Sequence, residues 1–400
     1  MKLKIGFLTA GGIAPCLSSS ICALVSEYNK IENLDFEFIG YLNGYKGLLT
    51  DKKISFPDLV KKKTNIFEQY GGSPIGNSRV KLTNIENCIQ KGYIDSGENP
   101  LEVAAQQLIK DKVDILHTIG GDDTNTMAAE LSLFLKDNNY ELTVVGLPKT
   151  VDNDVYPISQ TLGAFTAAEQ GAIFFDNLSN ENTTSSRQLI IHEVMGRNCG
   201  WLTAQTAKEY RQILDSKDFL PEVLIERSRW DVDAIYLPEI AIDFDRECDR
   251  LNNVMDKKDS VNIFLSEGAG TQTIVSELES QGKSIQRDAF GHVALDTLNP
   301  GKWFANQFTK RLSAEKTLVQ KSGYFARSAA PNKKDLELIK LSCELAAKSA
   351  KNGKSGVVGL DDDNDSKMSL IDFKRIKGGK PFDVNQKWFS SLLTEIGQNN

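Results

Sequence analysis

The sequence predicts an α/β protein built on parallel sheets, and three observations carry that prediction. Two apolar, strand-like runs, Val113 to Leu116 and Leu142 to Leu147, each end in a loop rich in Gly or Asx residues: Thr118-Ile119-Gly120-Gly121-Asp122-Asp123-Thr124-Asn125 and Pro148-Lys149-Thr150-Val151-Asp152-Asn153-Asp154. The amino terminus repeats the arrangement, with Lys4 to Leu8 running into Thr9-Ala10-Gly11-Gly12. The chain has 400 residues, too many for one ordinary core, so about two domains are expected.

Taken in order, the Gly11-Gly12 turn leads into a helix with Pro15 near its first turn and Ile21, Leu24, Val25 and Tyr28 on one face. Phe36 to Tyr41 reads as the second strand. Tyr70 to Arg79, with its glycines and proline, is a loop. Residues 101 to 111 form an amphipathic helix. After Asp123 another begins, with Met127, Leu131 and Leu135 at helical spacing and Thr124 as its N-cap. A helical pattern runs from about Gln160 to Asn177. Gln188 to Val194 is a buried strand ending in Met195-Gly196-Arg197, and Trp201 to Arg211 is the next helix. Asp233 to Leu237 and Val261 to Leu265 are strands, the second ending in Ser266-Glu267-Gly268. Lys333 to Lys351 is an amphipathic helix, the acidic run Asp361-Asp362-Asp363-Asn364-Asp365 a solvated turn, and the last forty residues carry no usable motif.

Composition excludes several classes. The net charge of −7 offers no basic footprint for nucleic acid, so a polyanionic ligand must be met by local clusters of Arg and Lys. The six cysteines are scattered without a C-x-x-C pair and there are three histidines, which argues for reduced thiols in the cytoplasm and against a zinc site. The first residues enter a strand directly, so no signal peptide is expected. No apolar run approaches the roughly 20 residues needed to span a bilayer. A nicotinamide-binding fingerprint would need a third glycine after Gly11 and Gly12, and it is missing.

The loops point to phosphate chemistry. Paired glycines allow backbone N–H groups close to a phosphate, and a helix N-terminus behind them favours negative charge. Asp122 then reads either as a ligand of phosphate-bound Mg²⁺ or as a cap of the following helix. The second loop offers carboxylates at Asp152 and Asp154, for a hydroxyl proton and for metal-bound water, beside a lysine that counters phosphate charge. Arg79, alone after its loop, reads by itself as a solvated surface charge. Arg197, beside a glycine that permits close backbone approach, suits a phosphoryl group. His192, inside a strand, reads as a satisfied core histidine and is given no role.

Gly120-Gly121-Asp122-Asp123-Thr124, Pro148 to Asp154 and Met195-Gly196-Arg197 resemble, in order, the three signatures of the phosphofructokinase family, over roughly the first 330 residues. ATP-using members carry Gly where this chain has Asp123 and Lys149; the Asp and Lys forms resemble the pyrophosphate-dependent branch. The resemblance implies two interleaved Rossmann-like three-layer α/β domains with the active site between them. The expected division is residues 1–160 with about 293–350 for pyrophosphate and Mg²⁺, and 161–292 with about 351–400 for fructose 6-phosphate. It implies reversible transfer of a phosphoryl group from Mg-pyrophosphate to the 1-hydroxyl of fructose 6-phosphate, a glycolytic reaction in the cytoplasm, and a homodimer.

Roles follow from the same resemblance. Asp152 accepts the hydroxyl proton and Asp122 holds Mg²⁺, with Asp154 through water. Gly11, Gly12, Arg79, Gly121, Asp123, Thr124 and Lys149 bind the donor, and Thr150 and Arg197 support the transferring group. Thr150, Asp152, Asp154, Met195, Gly196, Arg197 and Glu267 take the sugar phosphate, as do Arg287 and His292 in a Gly-His element that here lacks the usual following Arg. Gly323-Tyr324-Phe325-Ala326-Arg327 resembles a Tyr-x-x-Arg element that supplies Tyr324 and Arg327 to the acceptor's phosphate. The family's other Arg, donated from a neighbouring subunit, is replaced by Gln188 with Arg187 beside it. An ATP-dependent 6-phosphofructokinase and a non-catalytic regulatory subunit are the alternatives. The second is expected to lose the carboxylates that this chain keeps at Asp122, Asp152 and Asp154.

Overall fold

The computed structural model describes residues 2–282, 285 and 298–398. Among them the strands are, in chain order, β1 (Lys2–Thr9), β2 (Asp35–Tyr41), β3 (Lys53–Ser55), β4 (Ile115–Gly120), β5 (Thr143–Pro148), β6 (Gln188–Val194), β7 (Ala234–Tyr236), β8 (Ser260–Ser266), β9 (Lys316–Lys321), β10 (Gly356–Asp361) and β11 (Lys367–Ile371). The helices used below are α1 (Leu17–Asn29), α2 (Pro100–Asp111), α3 (Asp122–Asp137), α4 (Ala164–Leu178), α5 (Trp201–Asp215), α6 (Phe244–Lys258), α7 (Pro300–Arg311) and α8 (Lys333–Lys351). Two compact units form: Met1–Thr166 with Arg327–Lys380, and Ala167–Ala326 with Pro381–Asn400. The crossings therefore fall after 166, 326 and 380, where the sequence reading placed them after 160, about 292 and about 350. The differences have a physical origin in α8 and the segment behind it. α8 packs on α1 and β5, and β10 pairs with β5, so residues 327–380 belong to the first unit.

In the first unit the sheet order is β11-β10-β5-β4-β1-β2-β3. Its middle is parallel, and the edge strands β3 and β11 run antiparallel. β4 is buried at every residue and β5 at all but its first, the pattern of strands covered on both faces. One face is filled from α2 and α3, whose Ala104, Leu108, Met127 and Leu131 pack on Leu8, Leu116 and Val144. Phe7, Phe38, Tyr28 and His117 form an aromatic cluster, with Phe7 and Phe38 centroids 5.8 Å apart. Tyr28 Oη and His117 Nε2 share a hydrogen bond of 2.7 Å, so burial leaves that polar pair satisfied.

The chain leaves β1 for β2 on one side, while β4 lies on the other side of β1. The strand order thus reverses beside β1, and in open parallel sheets ligands bind at the carboxyl ends around such a point. The glycine loops after β1 and β4 are those ends.

Among the described residues the second unit has four parallel strands in the order β7-β8-β6-β9. β6 and β8 are buried throughout. Leu189, Ile191, Ile263 and Leu265 meet Phe304 and Phe308 of α7 and Leu251 and Met255 of α6. His192, also on β6, stacks on Phe174 and Phe175 of α4, and its Nε2 shares a 2.7 Å hydrogen bond with Ser322 Oγ. Burial lowers its pKa to about 3, so it is a neutral core histidine.

The acidic run is an exposed turn from Asp362 to Asp365, as expected, and departs from that reading only at Asp361. Asp361 ends β10, is buried, and accepts both guanidinium nitrogens of Arg375 at 2.8 and 2.7 Å. Asp362 pairs with Lys380, and Asp363 accepts from Tyr156. These partners lie far off in sequence, so local composition could not disclose them. Among the described residues no helix is long and apolar enough to cross a membrane.

Candidate active site

In the first unit the loop after β1 is held open by its own contacts. Gly11 has a φ of +86°, a region that favours glycine. Its N–H donates to Ser78 O at 2.9 Å, and Asn77 Nδ2 donates to the carbonyls of Gly11 and Gly12, each at 3.1 Å. Lys149, at the end of β5, sends its ammonium beneath this loop. Nζ donates to Gly12 O at 2.7 Å and lies 3.1 Å from where a Cβ on Gly11 would stand. Arg79 reaches the same place, with Nη2 3.7 Å from the Cβ position of Gly12. Lys149 is 4% exposed, and burial lowers its pKa to about 8, a fall reinforced by the Arg79 charge and opposed by Asp152 and Asp154.

The loop after β4 is fixed by Asn125. Its Nδ2 donates to the carbonyls of Gly120 and Gly121 at 3.1 and 3.0 Å, and its Oδ1 accepts from Thr118 Oγ1 at 2.9 Å. α3 consequently starts at Asp122 with Gly121 as its cap residue, and Thr124 is not the N-cap the sequence suggested. Thr124 is buried and its side chain lies over Gly120, where a Cβ would meet it. Gly121 faces Lys149, whose carbonyl is 3.9 Å from its Cβ position.

Asp122 and Asp123 diverge. Asp123 is 60% exposed at its side chain and pairs with Lys81 Nζ at 2.6 Å. Asp122 turns toward the second loop. Asp154 has its pKa raised, first by burial and also by the Asp122 charge, against a lowering hydrogen bond from Thr150. Two carboxylates from separate corners, close enough that the charge of Asp122 raises the proton affinity of Asp154, are the oxygen donors that suit a hard divalent cation, so these residues fit Mg²⁺. Asp152, half-buried between them in sequence, takes its backbone hydrogen bond from N–H to Thr150 Oγ1 at 3.1 Å. Asn153, at φ +57°, fixes the turn by accepting Thr161 N–H at 2.8 Å and donating to Ser159 O at 3.0 Å.

The second unit gathers its own loops at the ends of β6 and β8. Gly196 has a φ of +129°, and its carbonyl accepts from Ser266 Oγ at 2.5 Å. Glu267 N–H donates to Val194 O at 2.9 Å. Gly268 lies against the Arg197 backbone so closely that a Cβ there would meet the Arg197 Cα at 3.1 Å and its carbonyl carbon at 2.6 Å. Met195, Gly196, Arg197 and Glu267 are therefore brought together, with Met195 against Gly323. Arg197 is exposed and Glu267 half-buried. Tyr324, 80% exposed, and Arg327 share the short helix Gly323–Arg327. Arg287 and His292 lie outside the described residues. Arg187 is engaged within its own unit, donating to Asp256, Asn252 and the carbonyls of Leu312 and Ser313.

Residues the sequence reading passed over complete these loops. Asn77 ties the first cradle, Lys81 holds Asp123, and Asn125 shapes the second corner. Glu239 accepts Gly200 N–H at 2.9 Å and Phe382 N–H at 2.8 Å. Gly378 and Lys380 meet the acidic corners, Lys380 N–H donating to Asp154 O at 2.9 Å. Asn77 and Asn125 sit within the loops already singled out, so their residue type was a usable signal. Lys81, Glu239 and Lys380 carried none.

The phosphofructokinase family model matches residues 4–347. The chain is 56% identical over 395 residues to a pyrophosphate–fructose 6-phosphate 1-phosphotransferase of Methylomonas methanica, covering 99% of this chain and 96% of the relative. It is 54% identical over 396 residues to the protein of the same name from Methylotuvimicrobium alcaliphilum, covering 99% and 97%. Among solved structures, a pyrophosphate-dependent phosphofructokinase from Marinobacter aquaeolei aligns with a TM-score of 0.68 at 18% identity, covering 96% of this chain and 86% of that one. That likeness speaks to the fold, and the two-sheet α/β architecture agrees with it. The chain belongs to the phosphofructokinase family.

Proposed function

We propose that this chain transfers a phosphoryl group reversibly from Mg-pyrophosphate to the 1-hydroxyl of fructose 6-phosphate, giving fructose 1,6-bisphosphate and phosphate. The observation that carries the reading is the cradle of the first unit: two backbone loops, an ammonium at Lys149 and a guanidinium at Arg79 converge, with acidic oxygen donors on the neighbouring corner. The names of the relatives at 56% and 54% identity point the same way.

Phosphoryl transfer needs positioning and charge neutralisation more than covalent help. Gly11, Gly12 and Gly121 let the donor approach the backbone, and Arg79 and Lys149 offset its charge. Asp122, with Asp154, would hold Mg²⁺, which when bound neutralises phosphate oxygens and orients the donor. Asp152 takes the proton from the acceptor hydroxyl, and Thr150 orients the loop that carries it. Met195, Gly196, Arg197, Glu267, Tyr324 and Arg327 are assigned to the acceptor and its phosphate, with Arg287 and His292. Thr124 serves the donor loop by packing under Gly120.

Donor choice follows from Asp123 and Lys149. Asp123 brings bulk and charge to the mouth of the donor corner, where a nucleotide's further phosphate would pass. Its ion pair with Lys81 reduces the charge repulsion, so excluded volume carries more of the discrimination. A cytoplasmic homodimer is part of this reading, checked by sedimentation of the purified chain. The reaction is tested by a coupled assay with Mg²⁺ and fructose 6-phosphate, comparing pyrophosphate with ATP. Turnover with pyrophosphate at least a hundredfold above that with ATP is expected, and a preference for ATP would overturn the reading.

A further inference from the structure

The carboxyl-terminal segment of the first unit passes directly over its acidic corner. Lys377 and Tyr156 exchange backbone hydrogen bonds at 3.0 and 2.8 Å. Lys380 N–H donates to Asp154 O at 2.9 Å, and its ammonium donates to Ile158 O at 2.8 Å. Arg375 anchors the start of the strap on buried Asp361. Between these fixed points lies Gly378, and the neighbour it meets is the side chain of Asp122. A Cβ at residue 378 would stand 2.6 Å from Asp122 Cγ and 3.1 Å from Oδ1, with Oδ2 nearer still.

Gly378 is not a glycine for the sake of its backbone, because its φ lies outside the left-handed region. The adjacent Gly379 has a φ of +75° and nothing within 4 Å of its Cβ position. The two glycines thus serve different ends: Gly379 makes the turn, and Gly378 leaves room for a carboxylate. The strap cannot retreat without giving up its bonds to Tyr156 and Asp154. A side chain at 378 would therefore displace the Asp122 carboxylate, which can turn about its own side-chain bonds.

We propose that Gly378 is a positioning residue for the metal site, the strap Arg375–Lys380 acting as a wall that sets where the Asp122 carboxylate stands relative to the Asp154 loop. This rests on the reading of Asp122 as the Mg²⁺ ligand. It assigns a role in the site to a segment lying beyond residue 347, where the family match ends.

The test is binding, measured by electron paramagnetic resonance of Mn²⁺ with methylenediphosphonate present, on the full chain and on Gly378→Ala, Gly379→Ala and Asp122→Ala. Gly378→Ala is expected to weaken Mn²⁺ binding at least tenfold, Asp122→Ala at least as much, and Gly379→Ala less than twofold. Wild-type affinity in Gly378→Ala with loss in Asp122→Ala overturns the role of the strap and leaves the metal reading intact. Wild-type affinity in Asp122→Ala removes the metal reading and the proposal with it. Equal losses in Gly378→Ala and Gly379→Ala also overturn the proposal, since strap distortion alone would then suffice. A second measurement covers poor folding. The drop in Tm caused by Gly378→Ala should vanish when it is placed in the Asp122→Ala background, where the crowding carboxylate is gone. An undiminished drop overturns the contact as the reason for the glycine.

Discussion

The ammonium of Lys149 donates to the carbonyl of Gly12 at 2.7 Å across 137 positions of sequence, binding the loop after β5 to the loop after β1. It is at once a tie within the fold and a buried cation beside the Gly11-Gly12 loop. Burial lowers its pKa from 10.5 to about 8. The folded pKa is thus below the unfolded one. Below pH 8 both states carry the proton and the fold bears the whole desolvation cost. Between 8 and 10.5 the unfolded chain holds a proton the fold has released, so stability rises with pH through that window. The shift corresponds to about 3 kcal/mol. Lys149→Met is therefore expected to raise Tm at pH 7, by an amount that shrinks toward pH 10 in calorimetric scans. Methylenediphosphonate affinity should fall above pH 8 in the wild type, and Lys149→Arg should move that fall to higher pH in the same titration.

Donor preference is expected to follow the two substituted positions. Asp123→Gly with Lys149→Gly should raise kcat/KM for ATP and lower it for pyrophosphate. Lys81→Met, which leaves Asp123 without its 2.6 Å partner, should lower activity with both anionic donors. Steady-state assays with each donor check this, and a double variant with the original preference would remove the account of selectivity.

Asp152 is assigned the acceptor's proton. Asp152→Asn should cost roughly 10²–10⁴ in kcat while leaving the KM for fructose 6-phosphate within a few-fold. Near-normal turnover would take the role away from it.

The loops of the second unit assigned to the acceptor give a separable prediction. Gly268→Ala drives a methyl group into the Arg197 backbone and should displace the Met195–Arg197 turn. A KM for fructose 6-phosphate raised tenfold or more, with the KM for pyrophosphate unchanged, is the expected pattern in initial-rate measurements.

Buried His192 is expected to lower stability in acid. Its pKa falls from 6.5 to about 3, so the unfolded chain takes up a proton that the fold refuses, and stability is lost as pH falls below 6.5. At pH 5 the cost is on the order of 2 kcal/mol. His117, lowered to about 4, adds a similar loss. His192→Phe should flatten the decline of Tm between pH 7 and 5, read by circular dichroism.

Much of this protein was legible in the order of its residues. The strands that carry the site are apolar runs ending at loops rich in Gly or Asx residues; β1, β5, β6 and β8 lie where those runs predicted, while β4 starts and ends later than the Val113 to Leu116 run and takes in Thr118 to Gly120. The Asp122 and Asp152–Asp154 corners could be singled out because carboxylates beside glycine turns are costly unless a cation or proton uses them. α8 follows its 3.6-residue period from Lys333 to Lys351. Errors arose where residue type alone did not disclose the side-chain partner. Thr124 has the type of an N-cap, yet Asn125 reaches back to two carbonyls and α3 starts earlier. The acidic run is the exposed turn its composition suggests from Asp362 on, yet its first member, Asp361, is buried against Arg375.

The residue sequence alone determined the parallel α/β elements, the Gly- and Asx-rich corners at their ends and the carboxylates that occupy them, because each rests on neighbours within a few positions. Tertiary structure decided that Lys149 lies under Gly12, that Lys81 holds Asp123, that β10 and β11 extend the first sheet, and that Gly378 stands against Asp122. Those contacts join segments far apart along the chain, and hydrophobic period and local propensity carry no information about which distant backbone will arrive there.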